Sequence, residues 1–165
     1  MGARTGVSVE EYLHTSFPEL DREYRDGEIV ERTLPTYLHS RIQGILFTIF
    51  FALRHKFPLY PGVETRVKLR TGLYLIPDVA VFYPDEPSPV PENPPLIAIE
   101  VLSPDDRLTM AREKLEEYRK WGVPHVWLVD PESRRLYTCD AGLIEVDRFT
   151  VPELAIEIPP AEIFQ

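Results

Sequence analysis

The chain has 165 residues, 44% of them hydrophobic and 27% charged, which is typical of one globular domain, residues 1–165, with a buried core. Its formal net charge of −9 argues against a broad surface that coats nucleic acid, although a local basic groove stays compatible with it. The single cysteine, Cys139, excludes an internal disulfide, and no apolar stretch suits a signal peptide or a membrane span, so we expect a cytoplasmic protein with no membrane partner.

The first half of the chain carries signals for two helices and two strands. Ser8, with a glutamate three residues later, forms a capping box that predicts a short helix. The Asp-Gly pair at 26–27 predicts a turn that leads into a strand at 28–33. Apolar residues at helical spacing predict a long helix over 37–56, and alternation over 63–69 predicts a half-buried strand.

Two acidic residues lie in apolar runs of the kind that forms buried strands. Asp78 lies near the start of the apolar run 75–82, and Glu100 lies near the end of the run 96–102. Residues 84–95 contain six prolines, which predicts an extended loop and no helix between the two runs. A connection of this kind usually joins antiparallel neighbours, so both carboxylates are expected at one edge of the sheet. Burying two charges together is costly unless a cation compensates, which suggests a shared cation.

A second long helix is predicted after Glu100. Serine, proline and acids at 103–106 form a helix-start signal, and Gly122 with Pro124 predicts its end after Trp121. At roughly 100° per residue, Lys114 falls inside an apolar arc although outward positions were available for charges. The arc consists of Ala111, Leu115, Tyr118 and Trp121. Lys114 is therefore predicted to point inward, although a lysine that snorkels past the core is the structural alternative.

The end of the chain adds strands. Residues 125–130 form an apolar run that ends at an Asp-Pro turn, and 134–139 with 144–149 predict a hairpin around Ala141 and Gly142. The order of elements predicts an α/β domain in which helices flank a mixed central β-sheet.

Paired carboxylates with an inward lysine favour a particular chemistry. Asp78 and Glu100 are hard oxygen ligands suited to Mg²⁺ or Mn²⁺. Such an ion lowers the pKa of a bound water and stabilises charge on an attacked phosphorus. The Lys114 ammonium can orient that water and balance charge in the transition state. The three residues together predict phosphodiester hydrolysis, whereas either acid alone would be as easily explained as a rim residue or as a partner of arginine.

Several segments resemble the Uma-type family of restriction endonucleases, within the PD-(D/E)XK nuclease superfamily. They are YRDGEIVE (24–31), IPDVAV (76–81), IEVLSP (99–104), EKLEEY (113–118) and GVPHVWLVDP (122–131). The resemblance covers most of the chain and implies a restriction-endonuclease-like fold with metal-dependent cleavage of DNA. It implies that Asp78 is the aspartate of the first motif and Glu100 the acid of the second. Double-strand cutting requires two active sites, so a homodimer is expected.

One position departs from the superfamily pattern. A lysine is expected two residues after the second acid, where this chain has Leu102. By the resemblance, Lys114 on the following helix is a migrated catalytic lysine. Glu31, at the end of its strand, and His39, early in the long helix, are predicted as accessory residues of the site. Two alternatives stay open: an interaction module that keeps the nuclease fold without its chemistry, or a metal-dependent phosphohydrolase acting on nucleotides.

Overall fold

The protein, analysed as a computed structural model, is described over residues 6–16, 22–104, 106 and 108–165. Its helices are α1 (Val9–His14), α2 (Tyr37–Ala52), α3 (Leu108–Trp121) and α4 (Pro160–Ile163), with single 3₁₀ turns at Leu53–His55 and Pro152–Leu154. Its strands are β1 (Arg22–Arg25), β2 (Glu28–Glu31), β3 (Tyr60–Val63), β4 (Val67–Arg70), β5 (Leu73–Leu75), β6 (Val79–Phe82), β7 (Ile97–Val101), β8 (His125–Asp130), β9 (Arg135–Cys139), β10 (Leu143–Val146), β11 (Phe149–Val151) and β12 (Ile156–Ile158). None of the helices within these ranges is long and apolar enough to cross a membrane.

The largest sheet has six strands in the order β10-β9-β8-β7-β6-β3. Strands β7 and β8 run parallel, and the chain between them forms α3, the crossover that a parallel pair requires. The remaining neighbours are antiparallel, including β6 and β7. This arrangement confirms the predicted α/β fold with a mixed central sheet.

Helices cover both faces of this sheet. Side chains of β7 alternate between the faces: Ile97 and Ile99 pack with α2 and the C-terminal segment, and Ala98 packs with α3. Leu115 and Tyr118 are the fully buried contacts of α3 on its side. Glu100 shares the face of Ala98, which directs its carboxylate towards α3.

A second, antiparallel sheet has the order β2-β1-β5-β4, and β11 pairs with β12 in a third. Tyr12 of α1 stacks on Tyr24 of β1, with ring centroids 5.2 Å apart. Successive side chains of a strand point to opposite faces, so Glu23 of β1 points away from α1. The Glu23 side chain therefore lines the same cleft as Asp78 and Glu100.

Two of the predicted strands are wrong because the chain changes sheets within them. The predicted strand 63–69 is divided between β3 and β4 at Glu64, which has a φ of +49°. The run 75–82 is likewise divided between β5 and β6, which belong to different sheets. Asp78 therefore lies in the short connection just before β6. The predicted strand 28–33 ends at Glu31.

The helix boundaries are corrected in two places. The long helix ends at Ala52 and continues as a 3₁₀ turn, and α3 begins at Leu108 rather than at 103. Asp106 accepts a hydrogen bond from the Ser103 amide and donates its own amide to the Ser103 carbonyl, which makes a separate turn before the helix. Residue 105 of the predicted start lies outside the described residues.

Other predictions are confirmed, and several elements were missed. Ser8 forms its capping box, Gly122 ends α3 with a φ of +103°, and 84–95 contains no helix. Strands β9 and β10 form the predicted hairpin, although Phe149 belongs to β11. The elements that the sequence did not predict are β1, β11, β12 and α4.

Candidate active site

A cleft of about 330 Å³ opens between β2, the start of α2, the end of β7 and the first half of α3. Its lining includes all five residues singled out in the sequence: Glu31, His39, Asp78, Glu100 and Lys114. These residues are widely separated along the chain. The fold therefore brings them to one place.

Asp78 is held rigidly by backbone and side-chain hydrogen bonds. It is 3% exposed, and its carbonyl accepts a hydrogen bond of 2.9 Å from Nε2 of Gln43 on α2. The backbone amide of Val101, at the end of β7, donates to Oδ2 of Asp78 over 2.7 Å. These bonds tie the connection before β6 to the neighbouring strand and helix.

An arginine and a histidine face the Asp78 carboxylate. Nη2 of Arg32 lies 2.9 Å from Oδ1, and Nε2 of His39 lies 3.2 Å from Oδ2. Burial would raise the pKa of Asp78, but the His39 hydrogen bond and the charges of His39, Lys114 and Arg32 outweigh it, and the pKa falls below its ordinary value. Asp78 is therefore ionised at neutral pH.

The surroundings of Glu100 shift its pKa in the direction opposite to that of Asp78. The Tyr118 hydroxyl donates to Oε1 over 2.8 Å, and Nζ of Lys114 lies 2.9 Å from the same oxygen. Burial, together with the nearby charges of Asp78 and Glu23, raises the pKa of Glu100 to about 8 against the opposing effect of Lys114. Glu100 thus retains a proton at neutral pH when no further cation is present.

Lys114 points inward from α3, and its side chain is 13% exposed. Its ammonium contacts Oε1 of Glu23 at 2.6 Å, the carbonyl of Ile76 at 2.7 Å and Oε1 of Glu100 at 2.9 Å. Burial alone would lower the pKa of Lys114, but Glu100 and Glu23 raise it above its ordinary value. The group is a permanent cation whose three N–H donors all have protein acceptors.

The two predicted accessory residues, His39 and Glu31, differ in their distance from Asp78 and Glu100. His39 is buried and contacts Asp78 directly. The Glu31 side chain is 70% exposed and pairs with Arg22 over 2.7 Å at the rim, without a contact to Asp78 or Glu100 in the described part of the chain. Leu102, where the superfamily has lysine, packs into the apolar cluster beneath α3.

The sequence reasoning missed four residues that contact the predicted group: Glu23, Arg32, Gln43 and Tyr118. Tyr118 had been assigned only to the apolar arc of α3, although a buried tyrosine hydroxyl needs a polar partner and could have indicated Glu100. Glu23 alternates with Tyr24, but a strand of four residues is too short for alternation to be recognised.

The cleft offers carboxylate oxygens, the type of ligand that small divalent cations prefer. Within the described residues, no group of three or more His, Cys, Asp and Glu side chains is placed to hold a metal. A cation here would take Asp78 and Glu100 and fill its other positions with water or phosphate oxygens, as Mg²⁺ commonly does. The hydrogen bonds of Glu100 within that same part of the chain all fall on Oε1, which leaves Oε2 for such an ion. Both oxygens of Asp78 are hydrogen-bonded, so an ion would share them with Arg32 and His39 or displace these side chains.

Comparison with known proteins gives a sequence match and a structural match. Residues 9–158 match the family described as "Uma2: Putative restriction endonuclease". The crystal structure of "a putative nuclease belonging to DUF820" from Anabaena variabilis ATCC 29413 is 22% identical to this chain, with a TM-score of 0.81. That alignment covers 96% of this chain and 97% of the other, and at this identity it shows a shared fold. No curated protein matches the chain.

Proposed function

This chain belongs to the Uma2 family of restriction-endonuclease-like proteins, and from that premise we propose that it is a metal-dependent endonuclease that hydrolyses DNA phosphodiester bonds. In this proposal Asp78 and Glu100 hold Mg²⁺ or Mn²⁺, and Lys114 assists the attacking water. The observation that supports it most directly is the convergence of these three side chains, from three separate elements, on one cleft.

Each side chain has a distinct part in this proposal. A bound divalent ion supplies a water of lowered pKa and neutralises charge on the phosphate. Asp78 is already ionised, so it binds the ion without losing a proton, whereas Glu100 releases a proton when it binds the ion. Lys114 remains protonated, so it acts as a hydrogen-bond donor and a cation beside the scissile phosphate rather than as a general base.

The test is cleavage of supercoiled plasmid DNA by the purified protein with Mg²⁺ or Mn²⁺. We expect cleavage that chelation of the metal stops and that Asp78→Ala abolishes. Asp147→Ala, at a side chain that is 84% exposed, is the matched control and should cleave like wild type. Equal cleavage by wild type and Asp78→Ala would remove the assignment.

Product analysis extends the same assay to substrate and assembly. Faster hydrolysis of free nucleotides than of DNA would favour a phosphohydrolase, and an RNA substrate run in parallel separates the two nucleic acids. We propose that a second copy of the chain provides the other active site for double-strand cutting. Linear product from a protein that sediments as a dimer would support this assembly.

A non-catalytic interaction module is the second candidate, and one observation favours it. All three donors of Lys114 and both oxygens of Asp78 are satisfied within the protein, as expected of a cleft that has become a structural network. Calorimetric titration with Mn²⁺ separates the two candidates. Binding that is lost in both Asp78→Ala and Glu100→Ala supports the nuclease, and no binding by wild type supports the module.

A further inference from the structure

Glu23 is a buried acid outside the pair proposed to hold the metal. It lies in β1, is 5% exposed, and lines the same cleft as Asp78 and Glu100. A carboxylate at this depth is costly unless its partners compensate for lost hydration. Its partners therefore indicate why the position is acidic.

The partners of Glu23 are Lys114 and the chain just before Asp78. Oε1 of Glu23 lies 2.6 Å from Nζ of Lys114 and accepts a hydrogen bond of 3.0 Å from the backbone amide of Ile76. Lys114 in turn donates to the Ile76 carbonyl over 2.7 Å. The Glu23–Lys114 pair thus holds Ile76 by both its amide and its carbonyl, two residues before Asp78.

Lys114 contacts two acidic side chains, Glu23 and Glu100, and they have different roles. In the proposed reaction Glu100 binds the metal ion, and this coordination weakens the attraction between Glu100 and Lys114. Glu23 forms no hydrogen bond with Asp78 or Glu100 in the described part of the chain, and its Oε1 lies closer to Nζ of Lys114, at 2.6 Å, than Oε1 of Glu100 does, at 2.9 Å. A buried lysine that loses one carboxylate to a cation keeps its place only if the other remains.

We propose that Glu23 is a positioning residue, which anchors the Lys114 ammonium beside Glu100 and, through Ile76, fixes the segment that carries Asp78. This role rests on the proposed nuclease function. Glu23 acts through Lys114 and contacts neither the metal ion nor the DNA.

The first test is DNA cleavage at saturating Mn²⁺ by Glu23→Gln. Glutamine keeps an acceptor oxygen for Ile76 and Lys114 but removes the charge, so kcat should fall roughly 10-fold to 100-fold while KM for DNA changes little. Glu23→Asp, which retains the charge, should recover part of this loss. Glu116→Gln, on the exposed side of α3, is the matched control and should keep the wild-type rate. Wild-type kcat in Glu23→Gln, or an aspartate variant as slow as the glutamine variant, would overturn the role of the charge.

A double-mutant cycle separates positioning from general structural support. If Glu23 acts through Lys114, adding Glu23→Gln to Lys114→Gln should reduce kcat less than twofold further. A glutamate that only supports the fold would lower kcat by the same factor in both backgrounds. That result would contradict the proposal.

A second readout is independent of nuclease activity. NMR of ¹⁵N-labelled protein without metal should show one ammonium signal protected from exchange, absent in Lys114→Gln and exchanging at least several-fold faster in Glu23→Gln. An unchanged signal in Glu23→Gln would overturn the role of Glu23 as the anchor of Lys114.

The two proposals can fail separately. If this signal depends on Glu23 but wild type cleaves no DNA, the nuclease proposal fails and the anchoring contact stands. If wild type cleaves, Asp78→Ala does not, and Glu23→Gln keeps full kcat, only the role of Glu23 fails.

Discussion

The two sides of the cleft each bury a carboxylate, and they shift its pKa in opposite directions. On one side, Asp78 faces Arg32, His39 and a backbone amide, and its pKa is lowered. On the other side, Glu100 shares Lys114 with Glu23, and its pKa rises to about 8. Burial is common to both, so the ratio of cations to anions around each acid decides its protonation.

This difference gives the two acids different relations to a metal ion. On the Asp78 side, Arg32 already pairs with the carboxylate and His39 contacts it, so an ion must compete there with both side chains. The Glu100 side has an excess of acid, so an ion adds the charge that this side needs. Metal binding should therefore release a proton from Glu100 and should strengthen as the pH rises towards 8.

The largest effect on stability is expected on the Asp78 side. Asp78→Asn removes the nearer of the two carboxylates beside Arg32, whose side chain is 16% exposed, and leaves it Glu64 at 4.0 Å. The amide also offers one acceptor where both carboxylate oxygens now accept. Loss of one member of a buried pair should lower the free energy of unfolding by about 3 kcal/mol at pH 7 without metal. Urea unfolding measures this change, with Asp147→Asn as the exposed control. A variant as stable as wild type would show that the Asp78 pairings contribute little.

On the Glu100 side, replacing the acid with its amide should raise the free energy of unfolding at high pH, whereas the same change at Asp78 lowers it. The native pKa of Glu100 is raised from 4.5 to about 8, so the folded state binds a proton more tightly and stability is lost as the pH rises through that window. Glu100→Gln removes this loss. Without metal, it should match wild type near pH 5 and be more stable on the order of 2 kcal/mol at pH 8.5. Urea unfolding at both pH values tests the sign, and a glutamine variant less stable at the higher pH contradicts the raised pKa.

A smaller loss of stability is expected when the Tyr118 hydroxyl, the uncharged hydrogen-bond donor to Glu100, is removed. Tyr118→Phe keeps the buried ring but removes the 2.8 Å hydrogen bond to Oε1, which should cost about 1 kcal/mol. The cost should be greater at pH 9 than at pH 6, because a carboxylate is a stronger acceptor than a protonated acid. Thermal unfolding of the variant and of Tyr37→Phe, at a residue that is 81% exposed, measures this difference. Equal costs at the two pH values would mean that Glu100 does not change protonation between them.

The sequence could predict the two acids and the lysine of the cleft better than the partners that surround them. Asp78 and Glu100 were found because each lies in an apolar run, and Lys114 because it interrupts an apolar helical arc. Those signals are local. The partners that distinguish the two sides are Arg32 and Glu23. Glu23 lies in a four-residue strand that pairs with the distant β5, and Arg32 follows the equally short β2, so neither segment carries a clear local signal.

The fold shows the same division between local and distant information. The capping box at Ser8 and the glycine end of α3 follow from local chemistry, and both were predicted. The divisions of 63–69 and 75–82 between two sheets were not, because no glycine marks the backbone change at Glu64. Asp78 owes its position at the cleft to the second of these divisions.

The smallest effect on stability is expected from an ion pair on the surface whose contact is shorter than those in the cleft. Nη2 of Arg119 lies 2.5 Å from Glu116 on the outer face of α3, a shorter contact than the 2.9 Å between Lys114 and Glu100. Water screens the exposed pair, so Glu116→Gln should shift the thermal midpoint by less than about 2 °C at any salt concentration. A shift comparable to that of Asp78→Asn would mean that contact distance, rather than burial and the balance of charges, orders these interactions. The expected small shift would instead support burial and charge balance as the origin of the contrast between the two sides of the cleft.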